Sequence, residues 1–273
     1  NEMLINYWGK MNNFKEKFSP YILRRDWEDV GEKRPKAFFK NKFLDMDKKQ
    51  RKIYNDTIYN IKDNIKDINE NNFFNKTIKL RQICNFPIIY EKECNESCKW
   101  ETLKKILLNI PNGEKIIIFS EWIMTTDILY KKIKEELNIE CVYVNGTVKD
   151  EIIKEKLKYF KENNKAKILI STHLFTYGKN FQFCRHLILF ELIYNPVKLK
   201  QMIGRIVRLG QKNNVFIYTF IVKDTIEEKI FNILQNKNEI IKDMFIKKGK
   251  IRDTVIKRQE YFLNKEEIKN ILT

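Results

Sequence analysis

Short apolar runs alternate with longer amphipathic segments along the second half of the chain. In the amphipathic segments apolar residues recur three or four positions apart, as in Ile153, Leu157 and Phe160, which predicts helices with one buried face. The apolar runs are short and rich in β-branched residues, which is typical of strands buried on both faces. They span residues 115–120, 141–144, 167–171, 186–191 and 215–222. This alternation predicts an α/β domain, a parallel sheet covered by helices on both faces, over about residues 100 to 235.

The flanks of this region have a different pattern. Residues 45–110 are mostly helical in pattern and rich in charge. The tail after Lys237 is Lys-rich and helical, with a break at Gly249. Because residue 1 is Asn rather than Met, we expect the sequence to be a piece of a longer protein.

The chain is strongly basic. Its 273 residues include 53 Lys and Arg against 36 Asp and Glu, a formal net charge of +17. This excess favours a polyanionic partner, nucleic acid first. The alternative is codon bias, since Lys, Asn and Ile are abundant throughout, as an AT-rich genome would produce. Charge alone leaves both explanations open.

The cysteine content and the length of the apolar runs predict where in the cell the protein is located. No apolar run approaches the roughly 18 residues of a membrane span, so we expect no membrane partner. Five scattered cysteines predict reduced thiols in an intracellular protein, nuclear if the source is eukaryotic and otherwise cytoplasmic. Cys94 and Cys98 offer only two ligands, and both histidines lie far along the chain, so no metal site is predicted. The cysteines are Cys84, Cys94, Cys98, Cys141 and Cys184.

Residues 198–211 (KLKQMIGRIVRLGQ) combine two faces on one predicted helix. One face is apolar, and the other carries Gln201, Gly204, Arg205 and Arg208. Gly in a helix interior costs about 1 kcal/mol relative to Ala, so its presence calls for a reason. Two arginines one turn apart suit a polyphosphate, because a guanidinium can hold phosphate oxygens bidentately and stays charged. A solvated arginine face is the alternative.

Polar residues also follow two of the predicted strands. Ser120 and Trp122 follow the first strand, and Ser171 and Thr172 follow the third, before a loop that contains Gly178. Hydroxyls beside a glycine loop suit the binding of phosphate oxygens, although simple helix caps would look the same. Ligands of open α/β sheets bind outside the carboxyl ends of the strands, so we expect these residues and the arginine helix at that edge.

Taken together and in order, these segments resemble the motifs of superfamily 2 helicases in the form used by Swi/Snf-type DNA-translocating ATPases. QMIGRIVRLGQ at residues 201–211 is similar to motif VI of that family. Three departures are the FTYG sequence that replaces a glycine pair in motif V, Asn145 in place of Asp, and Tyr194 in place of Trp. Other collinear matches are IIIFSEW (116–122, motif IV), YVNGT (143–147), ILIST with GKNF (168–181, motifs V and Va), LILFELIYNP (187–196) and DTIEEKIF (224–231), and upstream PYILRRDWEDV (20–30), QRKIY (50–54) and LRQICNFP (80–87).

The resemblance implies the second RecA-like lobe of such an ATPase. We expect an inter-lobe and helical protrusion region at residues 1–100, the lobe at 101–238 and a helical extension at 239–273. The phosphate loop GxxxxGK[ST] is absent from the sequence, so the N-terminal ATP-binding lobe is expected elsewhere in a parent chain. The fragment alone is then expected to be inactive.

The resemblance also implies cofactors, partners and roles. ATP and Mg²⁺ are the expected cofactors, with the Mg²⁺ ligands on the missing lobe, and double-stranded DNA and that lobe are the expected partners, with other proteins left open. The process served, whether remodelling of packaged DNA, repair or transcription, stays open. Alternatives are an RNA or single-strand helicase lobe and a non-catalytic nucleic-acid-binding module. The implied roles are arginine fingers for Arg205 and Arg208, nucleotide contacts for Gln201, Gly178, Asn180 and Gly204, and nucleic-acid contacts for Ser120, Trp122, Gly146, Thr147, Ser171 and Thr172.

Overall fold

The computed structural model describes residues 35–63, 70–172, 180–208 and 210–236. Several predictions lie outside these residues: the upstream match at 20–30, Gly178 with its loop, and the helical tail after Lys237. The described residues belong to one structural unit, which begins at Pro35. Among them, no helix is both long and apolar enough to cross a membrane.

A sheet of six parallel strands forms the centre of the described chain, in the order β1-β6-β5-β2-β4-β3. Its central strands are buried along their whole length, as their uninterrupted apolar runs predict. All five predicted strands are present, which confirms the predicted α/β class. The strands are β1 (Ala37–Leu44), β2 (Ile116–Phe119), β3 (Cys141–Val144), β4 (Ile168–Ser171), β5 (His186–Leu189) and β6 (Val215–Val222).

Helices cover both faces of this sheet. Alternate strand residues point to opposite faces, so Ile117, Leu187 and Ile217 pack beneath one helical layer. Ile118, Ile188 and Tyr218 pack beneath the other. The described helices are α1 (Lys48–Asp63), α2 (Glu70–Asn85), α3 (Cys98–Asn109), α4 (Ile123–Leu137), α5 (Asp150–Glu162), α6 (Pro196–Ile206) and α7 (Ile226–Asn236), with a 3₁₀ turn at Pro87–Ile89.

The helical layers are built from the predicted amphipathic faces. Ile153, Leu157 and Phe160 of α5 and Met202, Ile203 and Ile206 of α6 enter one core. The opposite core takes Trp100, Leu103 and Leu107 of α3 and Leu129 and Ile133 of α4. Helices α1, α2 and α7 share a third core, which contains Tyr54, Leu80, Ile83, Ile226 and Ile230.

Strand β1 is the element that the sequence patterns missed. Its sequence, AFFKNKFL, mixes lysines with aromatic residues, and its six central residues are all exposed. It nevertheless pairs with β6 over eight positions, from Ala37 opposite Val215 to Leu44 opposite Val222. An edge strand with both faces exposed has neither a continuous apolar run nor an alternating one, so it has no periodicity to detect.

Helix α6 is shorter than the predicted segment 198–211. It begins at Pro196, a position that tolerates proline because the first amide of a helix needs no partner. Asn195 caps it, since its Oδ1 accepts a hydrogen bond from the amide of Lys198 at 3.2 Å. The helix ends at Ile206, and Gly210 then adopts a left-handed φ of +89°. Arg208 therefore lies in the turn that follows the helix, which corrects the prediction of one continuous helical face.

Candidate functional site

The predicted nucleic-acid contacts meet at the carboxyl edge of the sheet. Ser120 follows β2, Ser171 ends β4 and Thr172 follows it. Because β2 and β4 are parallel neighbours, the amide of Ser120 donates to the carbonyl of Ser171 at 3.3 Å. Gly146 and Thr147 occupy the turn after β3, the next strand along this edge. The structure thus places these strand-end residues along one edge, as the parallel topology requires.

The hydroxyl residues at this edge are buried. Ser120 is fully buried, and its Oγ donates to the Glu191 carboxylate at 3.0 Å and accepts from the amide of Trp122 at 3.3 Å. Ser171 and Thr172 are also buried. A contact between these hydroxyls and a phosphate therefore requires the present hydrogen bonds to be exchanged.

The turn after β3 is the exposed part of the edge. Gly146 and Thr147 are exposed, and Asn145 fixes the turn by accepting from both the amide and the hydroxyl of Thr147, at 3.1 and 2.7 Å. Asn145 Nδ2 also donates to the hydroxyl of Tyr143 at 2.8 Å. An aspartate here could accept the same bonds from Thr147 but could not donate to Tyr143. Asn145, which replaces the Asp of the family sequence, therefore has a neighbouring hydrogen-bond partner in Tyr143.

Gln201, Gly204 and Arg208 form an exposed surface at the end of α6, and Arg205 beside them is half-buried. A Cβ at Gly204 would meet no atom within 4 Å, so no packing within the described chain requires a glycine there. The guanidinium of Arg208 donates to Oδ1 of Asn180, which is also exposed. Gly178, the remaining predicted nucleotide contact, lies outside the described residues.

The arginine surface does not lie at the strand-end edge. The carbonyl of Arg205 accepts from the amide of Phe181 at 2.8 Å, and Phe181 precedes the amino end of β5. Helix α6 therefore starts beyond the carboxyl end of β5 and runs back along the sheet for about 16 Å, at 1.5 Å per residue. The prediction that the arginine helix shares the edge with the hydroxyls is corrected, since the candidates form two separate groups.

A buried polar network beneath the strand-end edge was missed by sequence reasoning. The Glu191 carboxylate accepts from Asn85 at 3.1 Å and from the amide of Glu121 as well as from Ser120. Asn85 Oδ1 accepts from Lys99 Nζ at 2.8 Å, and Lys99 forms an ion pair with Glu227 at 2.6 Å. The side chains of Lys99 and Glu227 are completely buried. Burial raises the pKa of Glu191 to about 7, although the amide of Glu121 opposes this rise.

A second set of contacts connects α2 to α6 through Glu121. Arg81 of α2 donates to one Glu121 oxygen at 3.2 Å, and Lys198 of α6 donates to the other at 2.7 Å. The Arg81 guanidinium also lies over the rings of Trp122 and Tyr194, with its Cζ 4.5 and 3.9 Å from the ring centres. Trp122 therefore stacks on a buried cation at this edge. Tyr194, which departs from the family sequence, supplies the other ring.

Comparisons with known proteins agree with this fold. Residues 98–210 match the family model of the helicase conserved C-terminal domain. The SWI2/SNF2 ATPase core of Sulfolobus solfataricus, solved in complex with dsDNA, superimposes with a TM-score of 0.67 at 25% identity, over 85% of this chain and 51% of that one. Residues 98–210 thus match a helicase C-terminal domain, and the fold of the chain is similar to the C-terminal lobe of Swi/Snf-type superfamily 2 helicases.

Curated relatives of the Swi/Snf-type lobe are much longer proteins. The uncharacterized ATP-dependent helicase YqhH of Bacillus subtilis is 34% identical over 148 residues, which cover 54% of this chain and 25% of YqhH. The ATP-dependent helicase fft3 of Schizosaccharomyces pombe is 30% identical over 161 residues, covering 56% of this chain and 17% of fft3. The lobe thus spans about a quarter or less of the length of these relatives.

Proposed function

We propose that this lobe is the second motor lobe of an ATP-dependent double-stranded DNA translocase, inactive without an N-terminal ATP-binding lobe. The observation that carries the proposal is the surface of Gln201, Gly204 and Arg208, which is exposed and has no internal packing reason for its glycine. Such a surface suits the close approach of another protein surface that holds a polyanion.

The chemistry of the arginine turn suits the γ-phosphate of ATP. Arg208 is exposed with its guanidinium against Asn180, and a guanidinium can exchange this neutral partner for phosphate oxygens. An arginine that stabilises the charge developing on the transferred phosphoryl group contributes about 10³–10⁵-fold to the rate. We assign this role to Arg205 and Arg208, with Gln201, Asn180 and Gly178 along the nucleotide. The Mg²⁺ ligands belong to the first lobe in this proposal.

DNA contacts belong to the strand-end edge in the same proposal. The turn at Gly146 and Thr147 is exposed there, and the net charge of +17 favours a polyanion. The Sulfolobus SWI2/SNF2 core, solved with dsDNA, supports duplex DNA as the partner. Ser120, Trp122, Ser171 and Thr172 contribute along the same edge once the DNA is bound. ATP-driven closure and opening of two lobes would then move this edge relative to the first lobe.

Substitution of the arginines tests the proposal in a polypeptide that joins the first lobe to this chain. We expect Arg205→Ala or Arg208→Ala to reduce DNA-stimulated ATP hydrolysis at least 10³-fold, with duplex DNA affinity changed less than threefold. Lys200→Ala, which removes an exposed charge from the same helix, serves as the matched control and should retain hydrolysis. Survival of hydrolysis in both arginine variants would refute the finger assignment.

The choice of nucleic acid is tested in the same assay. Duplex DNA should stimulate hydrolysis more than single-stranded DNA or RNA, and the isolated 273-residue chain should show no hydrolysis. Stimulation by single strands or RNA alone would indicate an unwinding helicase instead. Nucleic-acid binding without hydrolysis in any arrangement of lobes would indicate a non-catalytic binding module.

A further inference from the structure

A cleft of about 550 Å³ lies on the face of the sheet opposite α6. Its floor is formed by Phe216 and Tyr218 of β6, and its wall by Ile106 of α3 with the following Ile110 and Pro111. It lies beside the amino ends of β5 and β6, away from the strand-end edge. Its volume is in the range of about 300–1,000 Å³ that is usual for small-molecule sites. We call it the β6 cleft.

Among the described residues, four cations and one carboxylate line the β6 cleft. Lys40 Nζ and Arg185 Cζ lie over the same Phe216 ring, 4.7 and 5.4 Å from its centre. Glu114 is the acidic residue of the lining, and Arg185 donates to it at 3.2 Å. Because like charges repel one another, an anion bound among these cations lowers the electrostatic energy. The four cations are Lys40, Lys42, Lys105 and Arg185.

Two polar atoms of the β6 cleft have no hydrogen-bond partner within the described part of the chain. They are Nδ1 of His186 and Nε of Arg185, and both atoms are buried. The His186 side chain is only 7% exposed. A buried polar atom without a partner is destabilising, and because both atoms are buried, a ligand oxygen could bond to them only after a shift of these two side chains.

The electrostatic environment of His186 agrees with a site for an anion. Burial, followed by the charges of Arg185, Lys40 and Lys167, lowers the pKa of His186 to about 4. Glu114 lies 3.9 Å from the other ring nitrogen but does not offset these cations. The imidazole is therefore neutral near pH 7, and it adds no charge to the positive potential of the neighbouring cations.

We propose that the β6 cleft binds a nucleotide, with its phosphate among Lys40, Lys42 and Lys105 and its ring against the apolar wall. A phosphate matches the surplus of cations better than a single carboxylate, since it carries up to two charges and several acceptor oxygens. The apolar wall of Ile106, Ile110 and Pro111 suits contact with the flat face of a nucleobase. A free nucleotide and the terminal nucleotide of a nucleic-acid strand share this chemistry.

Calorimetric titration of the full chain tests the proposal. The probes are ADP, inorganic phosphate, and a single-stranded oligonucleotide with and without a 5′-phosphate. We expect Lys40→Ser combined with Lys105→Ser to weaken binding at least tenfold, whereas the charge-matched pair Lys154→Ser and Lys158→Ser, exposed on α5, should weaken it less than twofold. The ring signals of His186, one of two histidines, should shift on binding in the nuclear magnetic resonance spectrum.

Each outcome has a defined consequence. Binding of ADP that depends on Lys40 and Lys105 identifies a free nucleotide, and binding only of the 5′-phosphorylated strand identifies a strand end. Equal losses in the two double variants, or no binding at millimolar concentration, would overturn the proposal. Loss of all binding in Arg208→Ala would place the ligand at α6 and also overturn it. Lys40 is exposed, so its replacement should change the melting temperature only slightly, through its contact with the Phe216 ring. Lys42→Ser is a second exposed variant that should also weaken binding while the chain stays folded.

Discussion

At the scale of single residues, the site depends on ionisable groups that the fold buries at the strand ends. Glu191 is completely buried and accepts hydrogen bonds from Asn85, Ser120 and the amide of Glu121. Ser120 was predicted as a site residue from its sequence position alone, because it follows an apolar run. Its partner Glu191 lies 71 residues further along the chain, and no local pattern encodes that pairing. Strand-end positions were therefore predictable, whereas the network that fixes their side chains was not.

Glu191 predicts a pH dependence of stability. Its pKa of about 7 in the folded chain lies above the ordinary 4.5, so the folded state keeps a proton that the unfolded state releases. The stabilisation is complete below about pH 4.5 and is lost as the pH rises through 7. It amounts to about 3 kcal/mol, at about 1.4 kcal/mol per pKa unit.

We expect Glu191→Gln, whose side chain stays neutral, to lack this decline. Urea unfolding of the isolated chain between pH 4.5 and 8 measures the free energy of unfolding. The decline due to Glu191 is the difference between wild type and variant. Glu155→Gln, on the exposed face of α5, is the matched control and should decline like the wild type. An equal decline in wild type and Glu191→Gln would mean that Glu191 is ionised throughout.

At the scale of elements, periodicity predicted where a helix or strand lies better than where it ends. The apolar stripe of α6 packs as predicted, through Met202, Ile203 and Ile206. Its end was predicted too late because the arginines continue the helical spacing past Ile206, although the helix ends there, ahead of the turn at Gly210. Strand β1 was missed because its exposed residues show no hydrophobic periodicity. Its backbone nevertheless pairs with β6.

Gly204 provides a test at this scale. A Cβ there meets nothing within 4 Å, and Ala favours a helix interior by up to about 1 kcal/mol, so Gly204→Ala should slightly stabilise the isolated chain. In a polypeptide with the first lobe, the proposed function predicts that the same change lowers ATP hydrolysis. Thermal unfolding and hydrolysis rates measure the two effects.

Gly210→Ala is the matched control for this test. Its φ of +89° strains any residue with a Cβ, so we expect a loss of about 1 kcal/mol in the isolated chain. If Gly204→Ala destabilised the chain as much as Gly210→Ala, the glycine would serve the fold and not a partner surface. If it stabilised the chain and left hydrolysis unchanged, the approach of the first lobe at Gly204 would be excluded.

At the scale of the whole molecule, partly buried charges connect the helical region before the sheet to the arginine helix. Glu121 lies between Arg81 of α2 and Lys198 of α6, so one carboxylate touches both elements. Burial alone would raise the pKa of Glu121, but the hydrogen bond from Lys198 and the charge of Arg81 lower it overall. Glu121 is therefore ionised at neutral pH and holds two cations that belong to different parts of the fold.

Glu121→Gln should loosen α2 and α6 together. The carboxylate is 25% exposed and Arg81 is 10% exposed, so the loss should lie between about 1 kcal/mol for an exposed pair and 3–5 kcal/mol for a buried one. Hydrogen exchange should accelerate at both residues 79–85 and residues 196–202, while α5 keeps its protection. Glu155→Gln is again the control. Faster exchange at only one of the two segments would show that Glu121 stabilises that helix alone and does not link the two.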